Sequence, residues 1–518
     1  MDKKNDHDEP ALAQKLEESG RGLGLLSLIV GLAAGGSVYG IGEHWIEQNN
    51  EPALAVTVLQ VITSFAAGWL LLAERRDFLR PIIPAAMISL VLAGPTYWLT
   101  SHMNGGVTEL SGFPLFFWFG VAGPLAAFLL AALAKASLDS GAPPKYTSLF
   151  FHGLTLPLIA VGAEIFAGLA LVLLYAWAML LKSMGVDFFQ QFFDQAYFTM
   201  PFLGAIGGLA IAMIRGQQAV LGALRFIALL LARILMPIMA LCSLTFIAVL
   251  AIKGAGPIFD KPYPGGMMLG LAFAGMLVFN GVYQNGEGGA PPLWLRLATL
   301  ITIAAFPVYA GLAAYAFWIR IGEYGLTPPR IAGLAMNTLA FAYSIVCLAG
   351  LLSELNWRAK RWMPLVAPFN TLMAVVWVVV LVAVSSPLIN VWALSAKSQE
   401  ARLMSGAADA DEFDFGYLRF ELGEYGAAAL DRLEAASGHP QAAQIRTGVK
   451  RARDATSYWE YQHPEYAVTQ PVEAPENNGE DSASADSADG PMALEFNPAD
   501  APESDAESTG AEPLADNE

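Results

Sequence analysis

The chain has 518 residues, 55% of them hydrophobic, with a mean hydropathy of +0.46 and a formal net charge of -17. That is too apolar for an ordinary soluble protein and too acidic for one built only of membrane helices, so the two characters must occupy different regions. The acidic balance speaks against nucleic-acid binding, which needs a basic surface for phosphates.

The opening MDKKNDHDEPALAQKLEESGRG has mixed charge and leads into an apolar run long enough to span a bilayer, which predicts an uncleaved membrane helix rather than a secretory signal. A hydrocarbon core of about 30 Å needs about 20 apolar helical residues. Eleven runs meet this requirement: 22–42, 53–74, 81–99, 113–134, 150–181, 198–213, 232–252, 265–282, 294–318, 330–352 and 364–386. They are too long and too uniformly apolar for barrel strands, so the expected fold is all-α, a polytopic transmembrane bundle occupying 22–386.

The first span holds the small-residue patterns GLAAG (31–35) and GSVYG (36–40), and GAIGG recurs at 204–208. Such residues let helix backbones approach closely inside a bundle. The fifth run exceeds one span, so either it is one helix that tilts and protrudes, or Pro157 separates a surface turn from the span proper. Within it, Glu164 sits among apolar neighbours, where a carboxylate is costly. It is expected to serve a proton or cation relay, or to be buried and bonded to Arg233, Asn337 or another polar group. His152, near the start of the same run, reads as a surface or packing residue.

Arg215, Arg225 and Arg233 interrupt the approach to the seventh span and predict an interfacial helix with arginines reaching for headgroups. PYPGGMM at 262–268 predicts a turn leading into the eighth span, with a broken helix as the alternative. Cys242 and Cys347 both lie in apolar stretches and are expected to be buried thiols. No spacing implies a metal site, a cofactor or a catalytic constellation, and no phosphate-binding loop is present.

RIGEYGLTPPR at 320–330 reads as a tight turn between two spans. Gly325 can close one helix in a left-handed conformation, and Thr327 and Pro328 can open the next. Arg320 and Arg330 then stand at the membrane boundary with Glu323 and Tyr324 between them, and Glu323 is able to pair with either arginine. A substrate or lipid-headgroup site is the alternative.

Sixteen lysines and arginines, among them Arg80, Lys135, Lys145, Arg215 and Arg296, fall on one side of the eleven spans; seven, including Arg320, Arg330 and Arg402, fall on the other. Positive charge marks the cytoplasmic side, which predicts a cytoplasmic N-terminus and, by the odd count, an external C-terminal side. After the last span, residues 387–464 predict a small helical region, soluble or docked on the bundle. Asp409, Asp411, Glu412 and Asp414 read there as capping carboxylates rather than a calcium loop. From Val472 to Glu518 there are 14 acidic residues and no basic ones, so 465–518 predicts a disordered acidic tail.

RIGEYGLTPPRI at 320–331, the arginine-rich stretch before LMPIMAL, and DEFDFGYLRFELGEYG at 411–426 resemble the bacterial membrane proteins of the domain-of-unknown-function 4153 family. The resemblance covers most of 22–435. Its distinctive piece is matched by Arg320, Tyr324, Gly325, Leu326, Thr327 and Arg330. It implies a polytopic protein of the inner membrane and supplies no catalytic residues. Three function classes fit: a transport-related or envelope-assembly protein, a structural or regulatory scaffold whose C-terminal region meets a protein partner, and a membrane-embedded enzyme acting on lipid or cell-wall precursors. Membrane lipids are the one partner that composition itself implies.

Overall fold

The computed structural model describes residues 8–46, 52–74, 77–102, 112–261, 263–353 and 362–464. The acidic tail, and the expectation attached to it, lie outside the described residues, as do the basic residues at 75, 76, 358, 360 and 361. The chain is an all-α multi-pass membrane bundle, with eleven helices long and apolar enough to cross a bilayer among the described residues. In chain order the helices are α1 (Asp8–Gly40), α2 (Pro52–Leu72), α3 (Ile82–Ser101), α4 (Phe113–Phe117), α5 (Gly123–Ser140), α6 (Tyr146–Ser183), α7 (Phe188–Phe193), α8 (Ala196–Arg215), α9 (Gln218–Lys253) and α10 (Gly256–Phe259). They continue with α11 (Pro264–Tyr283), α12 (Leu293–Tyr324), α13 (Pro328–Ser353), α14 (Val366–Val384), α15 (Val391–Met404), α16 (Phe415–Glu421), α17 (Gly423–Ala435), α18 (Ala442–Asp454) and α19 (Tyr458–Gln462).

Of the two readings of the fifth run, the structure has the single long helix: α6 runs unbroken for 38 residues through Pro157. The expected interruption before the seventh span is absent, because α9 is one 36-residue helix rather than an interfacial helix followed by a span. Proline in a membrane helix costs one hydrogen bond, which neighbouring helices and local adjustment can accommodate. The fourth span, by contrast, changes its winding. Pro124 has no N–H to give, the Gly123 N–H bonds the Trp118 carbonyl, and residues Trp118–Ala122 form a π-turn joining α4 to α5. The Trp118 indole N–H donates to Thr96 Oγ1 of α3 at 3.0 Å, fixing this turn against its neighbour.

The small-residue runs meet each other. A Cβ on Gly31 would stand 2.0 Å from the Gly204 carbonyl oxygen, and one on Gly208 would stand 2.2 Å from that of Ser27. α1 and α8 therefore cross antiparallel with backbones in contact, which only glycine permits. Gly36 and Gly40, in the second of the adjacent patterns, face open space.

The largest buried core gathers on α11 and α12, with α9, α13 and α14 around them: Ala272, Phe279, Phe306, Tyr309 and Leu381 are fully enclosed. Several polar groups are paired inside it. Tyr309 donates to Ser243 Oγ at 3.0 Å. The Asn370 amide donates to Asn280 Oδ1 and to the Tyr146 hydroxyl, both at 2.8 Å, and the Asn280 amide donates to Tyr343 at 2.8 Å. α6, α11, α13 and α14 are tied together by this network, as expected where lipid cannot satisfy polar groups.

Helices α16–α19 form a small bundle of their own around Phe415, Leu418, Leu430, Ile445 and Val449. Its tightness depends on glycine: a Cβ on Gly426 would stand 1.8 Å from the Leu418 carbonyl oxygen, and one on Gly448 would stand 2.3 Å from the Phe415 ring. Asp414 caps α16 by accepting from the Tyr417 N–H at 2.9 Å. The Tyr458 hydroxyl also donates to Asp414, at 2.6 Å, closing the module on itself.

Candidate functional sites

The turn after α12 is built as its sequence implies and holds more than a turn needs. Gly325 has φ +75° and its N–H bonds the Ile321 carbonyl, ending α12; Pro328 and Pro329 begin α13. The Thr327 carbonyl accepts from the Ile331 N–H at 3.0 Å, while among the described residues its hydroxyl makes no hydrogen bond. Arg320 pairs with Glu323 at 3.3 Å, and Arg330 donates instead to the Gly325 carbonyl at 2.8 Å. Both guanidinium groups lie over the Tyr324 ring, at 5.6 and 5.5 Å from its centre. The turn thus gathers Arg320, Glu323, Tyr324, Thr327 and Arg330 into one structure.

That structure grips α15. The Gln399 amide donates to the carbonyls of Tyr324 (2.9 Å) and Leu326 (3.1 Å), Ser398 Oγ accepts from the Leu326 N–H (2.9 Å), and Arg402 donates to the Glu323 carbonyl. The carbonyls left over at the end of α12 are thereby satisfied by side chains from the C-terminal region. A Cβ at Gly325 would approach Arg402 Cδ at 2.8 Å and Gln399 Nε2 at 2.9 Å, so glycine is required both for φ and for the contact. A second tie lies at the end of α3, where His102 Nε2 is 3.2 Å from Glu424 and the His102 ring stacks on Tyr425 and Trp392. The module rests on the end of the bundle where α3 and α12 finish.

The opposite end carries a buried charged cluster that sequence reading did not assemble. Lys135 of α5 is 1% exposed and pairs with Glu74, just past α2, with Asp139 one turn along at 3.8 Å. His152 of α6 is fully buried, with Nε2 2.7 Å from Asp139 Oδ2. A carboxylate only accepts, so Nε2 carries the hydrogen of this contact, while Nδ1 is buried without a partner among the described residues. Arg215, at the end of α8, donates to the carbonyls of Leu70 (2.7 Å) and Ala73 (2.5 Å), placing its charge at the negative end of α2. Two carboxylates face two cations. One turn deeper, Arg225 stands 4.3 Å over the Phe151 ring and donates to Thr155 Oγ1 at 3.3 Å. The arrangement fastens α2, α5, α6 and α8 together, with His152 buried within it.

Comparison with family models, with curated proteins and with solved structures finds nothing that matches this chain.

Glu164 lies away from both centres. It is exposed on the outer face of α6, and among the described residues it forms no hydrogen bond or ion pair, so the expected bond to Arg233 or Asn337 is absent. Asn337 is buried in α13 with its Oδ1 unpartnered. Position along an apolar run gives depth but not direction, and Glu164 shares its outward face with Val161, Ile165 and Leu169. Arg233 is also exposed, on α9, where it lines a cavity of about 440 Å³. Cys242, expected to be buried, is on the outer face of α9, while Cys347 is enclosed.

Proposed function

We propose that the protein is an envelope scaffold of the bacterial inner membrane that holds the α15–α19 region in fixed register on the outer side. The observation that carries this reading is the grip of Ser398, Gln399 and Arg402 on the 323–326 backbone, reinforced by His102 against Glu424 and Tyr425. A region joined only by a tether would need no such docking.

The concentration of Arg80, Lys135, Lys145, Arg215 and Arg296 supports a cytoplasmic position for the basic end and an outer one for the module. The resemblance to the domain-of-unknown-function 4153 family, resting on the 320–331 and 411–426 motifs, supports the bacterial inner-membrane assignment. A transport-related role has less behind it, because Glu164 neither pairs within the bundle nor lines the cavity at Arg233. The C-terminal region is the surface through which a protein partner would be met.

Undocking the module tests this reading. Cells carrying Gln399→Leu with Arg402→Met should show the envelope phenotype of a deletion of 391–464, while the wild-type protein in liposomes passes neither ions nor amphiphiles. Flux by the purified protein, retained at full rate in the undocked variant, would overturn it.

A further inference from the structure

The cavity at Arg233 lies between α9 and the loop joining α11 to α12, at the end of the bundle that carries the buried charged cluster. Its volume, about 440 Å³, lies within the range of small-molecule sites. Three features of its wall point to one kind of ligand.

The first is charge. Among the described residues, Arg233 is the one ionisable side chain on the wall apart from the Tyr283 phenol, and it has neither an ion-pair nor a hydrogen-bond partner there. Tyr283 is already engaged, donating to the Met363 carbonyl at 3.1 Å. Glu287, the carboxylate of the 284–292 loop, is not part of the wall. The second is an unpaired donor. Trp362 is 5% exposed and lines the cavity, and among the described residues its buried indole N–H has no acceptor. A buried donor left unmade is costly, and an anion in the cavity would satisfy it. The third is the apolar remainder. Beside the polar Gln284 and Asn285 of the loop, Leu230, Ile234, Pro237, Val282 and Leu295 line the wall, and the outer face of α9 continues it through Ile238, Leu241 and Leu244, all more than half exposed. From Leu230 to Leu244 that track runs roughly 21 Å at the helical rise, about the length of an acyl chain.

We propose that this cavity binds the headgroup of a monoanionic phospholipid, with the phosphate on Arg233 and the Trp362 N–H and an acyl chain along the outer face of α9. A single guanidinium matches a single negative charge, and its paired N–H groups suit two phosphate oxygens. The cavity is too small for a whole two-chain lipid, so the chains lie on the protein surface, where the exposed leucines and isoleucines are. The inference is independent of the scaffold reading, since none of these residues touches the module.

The test uses the full chain in nanodiscs of phosphatidylcholine, into which phosphatidylglycerol is titrated while thermal unfolding is followed. The wild type should gain stability saturably with phosphatidylglycerol and not with added phosphatidylcholine. Arg233→Gln should weaken the apparent affinity roughly tenfold, the scale of one lost charge-assisted pair. Trp362→Phe should weaken it severalfold, and Arg233→Lys, which keeps the charge but not the paired N–H groups, should fall between Arg233→Gln and the wild type. Arg320→Gln, at the other end, should behave as wild type. Glycerol 3-phosphate and inorganic phosphate form a separate arm and should not compete at millimolar concentration. Wild-type affinity in Arg233→Gln, in a sample that unfolds normally in phosphatidylcholine alone, overturns the proposal. So does equal binding of soluble glycerol 3-phosphate, which would make the cavity a free phosphate site. If Arg233→Gln does not fold, Trp362→Phe and Arg233→Lys decide: the site is refuted if the first keeps wild-type affinity or the second loses all saturable binding.

Discussion

Replacing Arg215 with methionine keeps most of the side chain's volume and removes its charge and its donors. Two carbonyls at the end of α2, now 2.7 and 2.5 Å from the guanidinium, would be left buried without partners. Glu74 and Asp139 would lose one of the two cations described beside them and keep Lys135. Each buried acceptor left unmade costs about 1–3 kcal/mol, and breaking a buried charge pairing by removing one member costs about 3–5 kcal/mol. The two ranges describe overlapping losses, so the expected destabilisation is about 3–5 kcal/mol in total. Thermal unfolding in detergent, followed by tryptophan fluorescence, should show it as a clearly lowered midpoint. Arg215→Lys should fall between, because it restores the charge but cannot reach both carbonyls. A double-mutant cycle of Glu74→Gln and Lys135→Met should give a coupling of the same sign, since the neutral pair spares the cost of an orphaned ion. Unfolding of Arg215→Met at the wild-type midpoint would refute the claim that this cluster fastens the basic end.

Gly31→Val should force α1 and α8 apart by about 1 Å or more and cost about 1–3 kcal/mol, measured as a lower unfolding midpoint; Gly36→Val, facing open space, should be near neutral. Gln399→Leu should cost about 1–3 kcal/mol locally, by leaving the Tyr324 and Leu326 carbonyls unpaired, and should raise hydrogen exchange across α15–α19 without changing the central spans. Burial pushes the Glu421 carboxyl above its ordinary range, with Asp414 adding to the effect. The folded module therefore binds this proton more tightly than the unfolded chain, and its stability falls as pH rises through the folded value. Glu421→Gln should accordingly increase protection of α16–α19 at pH 8 and make no difference near pH 4; a gain that is larger in acid would contradict the sign.

The spans were legible because a bilayer imposes length and apolarity on every crossing helix, and these can be counted along one chain. The turn at 320–331 was legible for a similar reason: glycine, threonine and two prolines act locally. Close packing of GLAAG with GAIGG could be anticipated as a type of contact, though which glycines would meet could not. The buried cluster was hidden because its partners are far apart in sequence, Glu74 being 61 residues from Lys135 and Leu70 being 145 from Arg215. Read singly, Lys135 and Arg215 look like loop charges at the ends of apolar runs. The one local signal was Lys135 followed by Asp139 on the same helical face, with His152 soon after. Glu164 misled for the converse reason. Its neighbours in sequence are apolar, but they are also the outward face of α6, so it stands outside the bundle rather than among partners.

The central proposal is that a bundle of eleven spans has its basic end in the cytoplasm and its C-terminal module outside. It is tested most directly by single cysteines in a Cys242→Ala, Cys347→Ala background. Ser437→Cys sits exposed on the module, and Ala142→Cys sits exposed in the loop between α5 and α6. A membrane-impermeant maleimide applied to intact spheroplasts should label Ser437→Cys and leave Ala142→Cys unmodified until the cells are lysed. Labelling of both positions from the same side, in either direction, would contradict it.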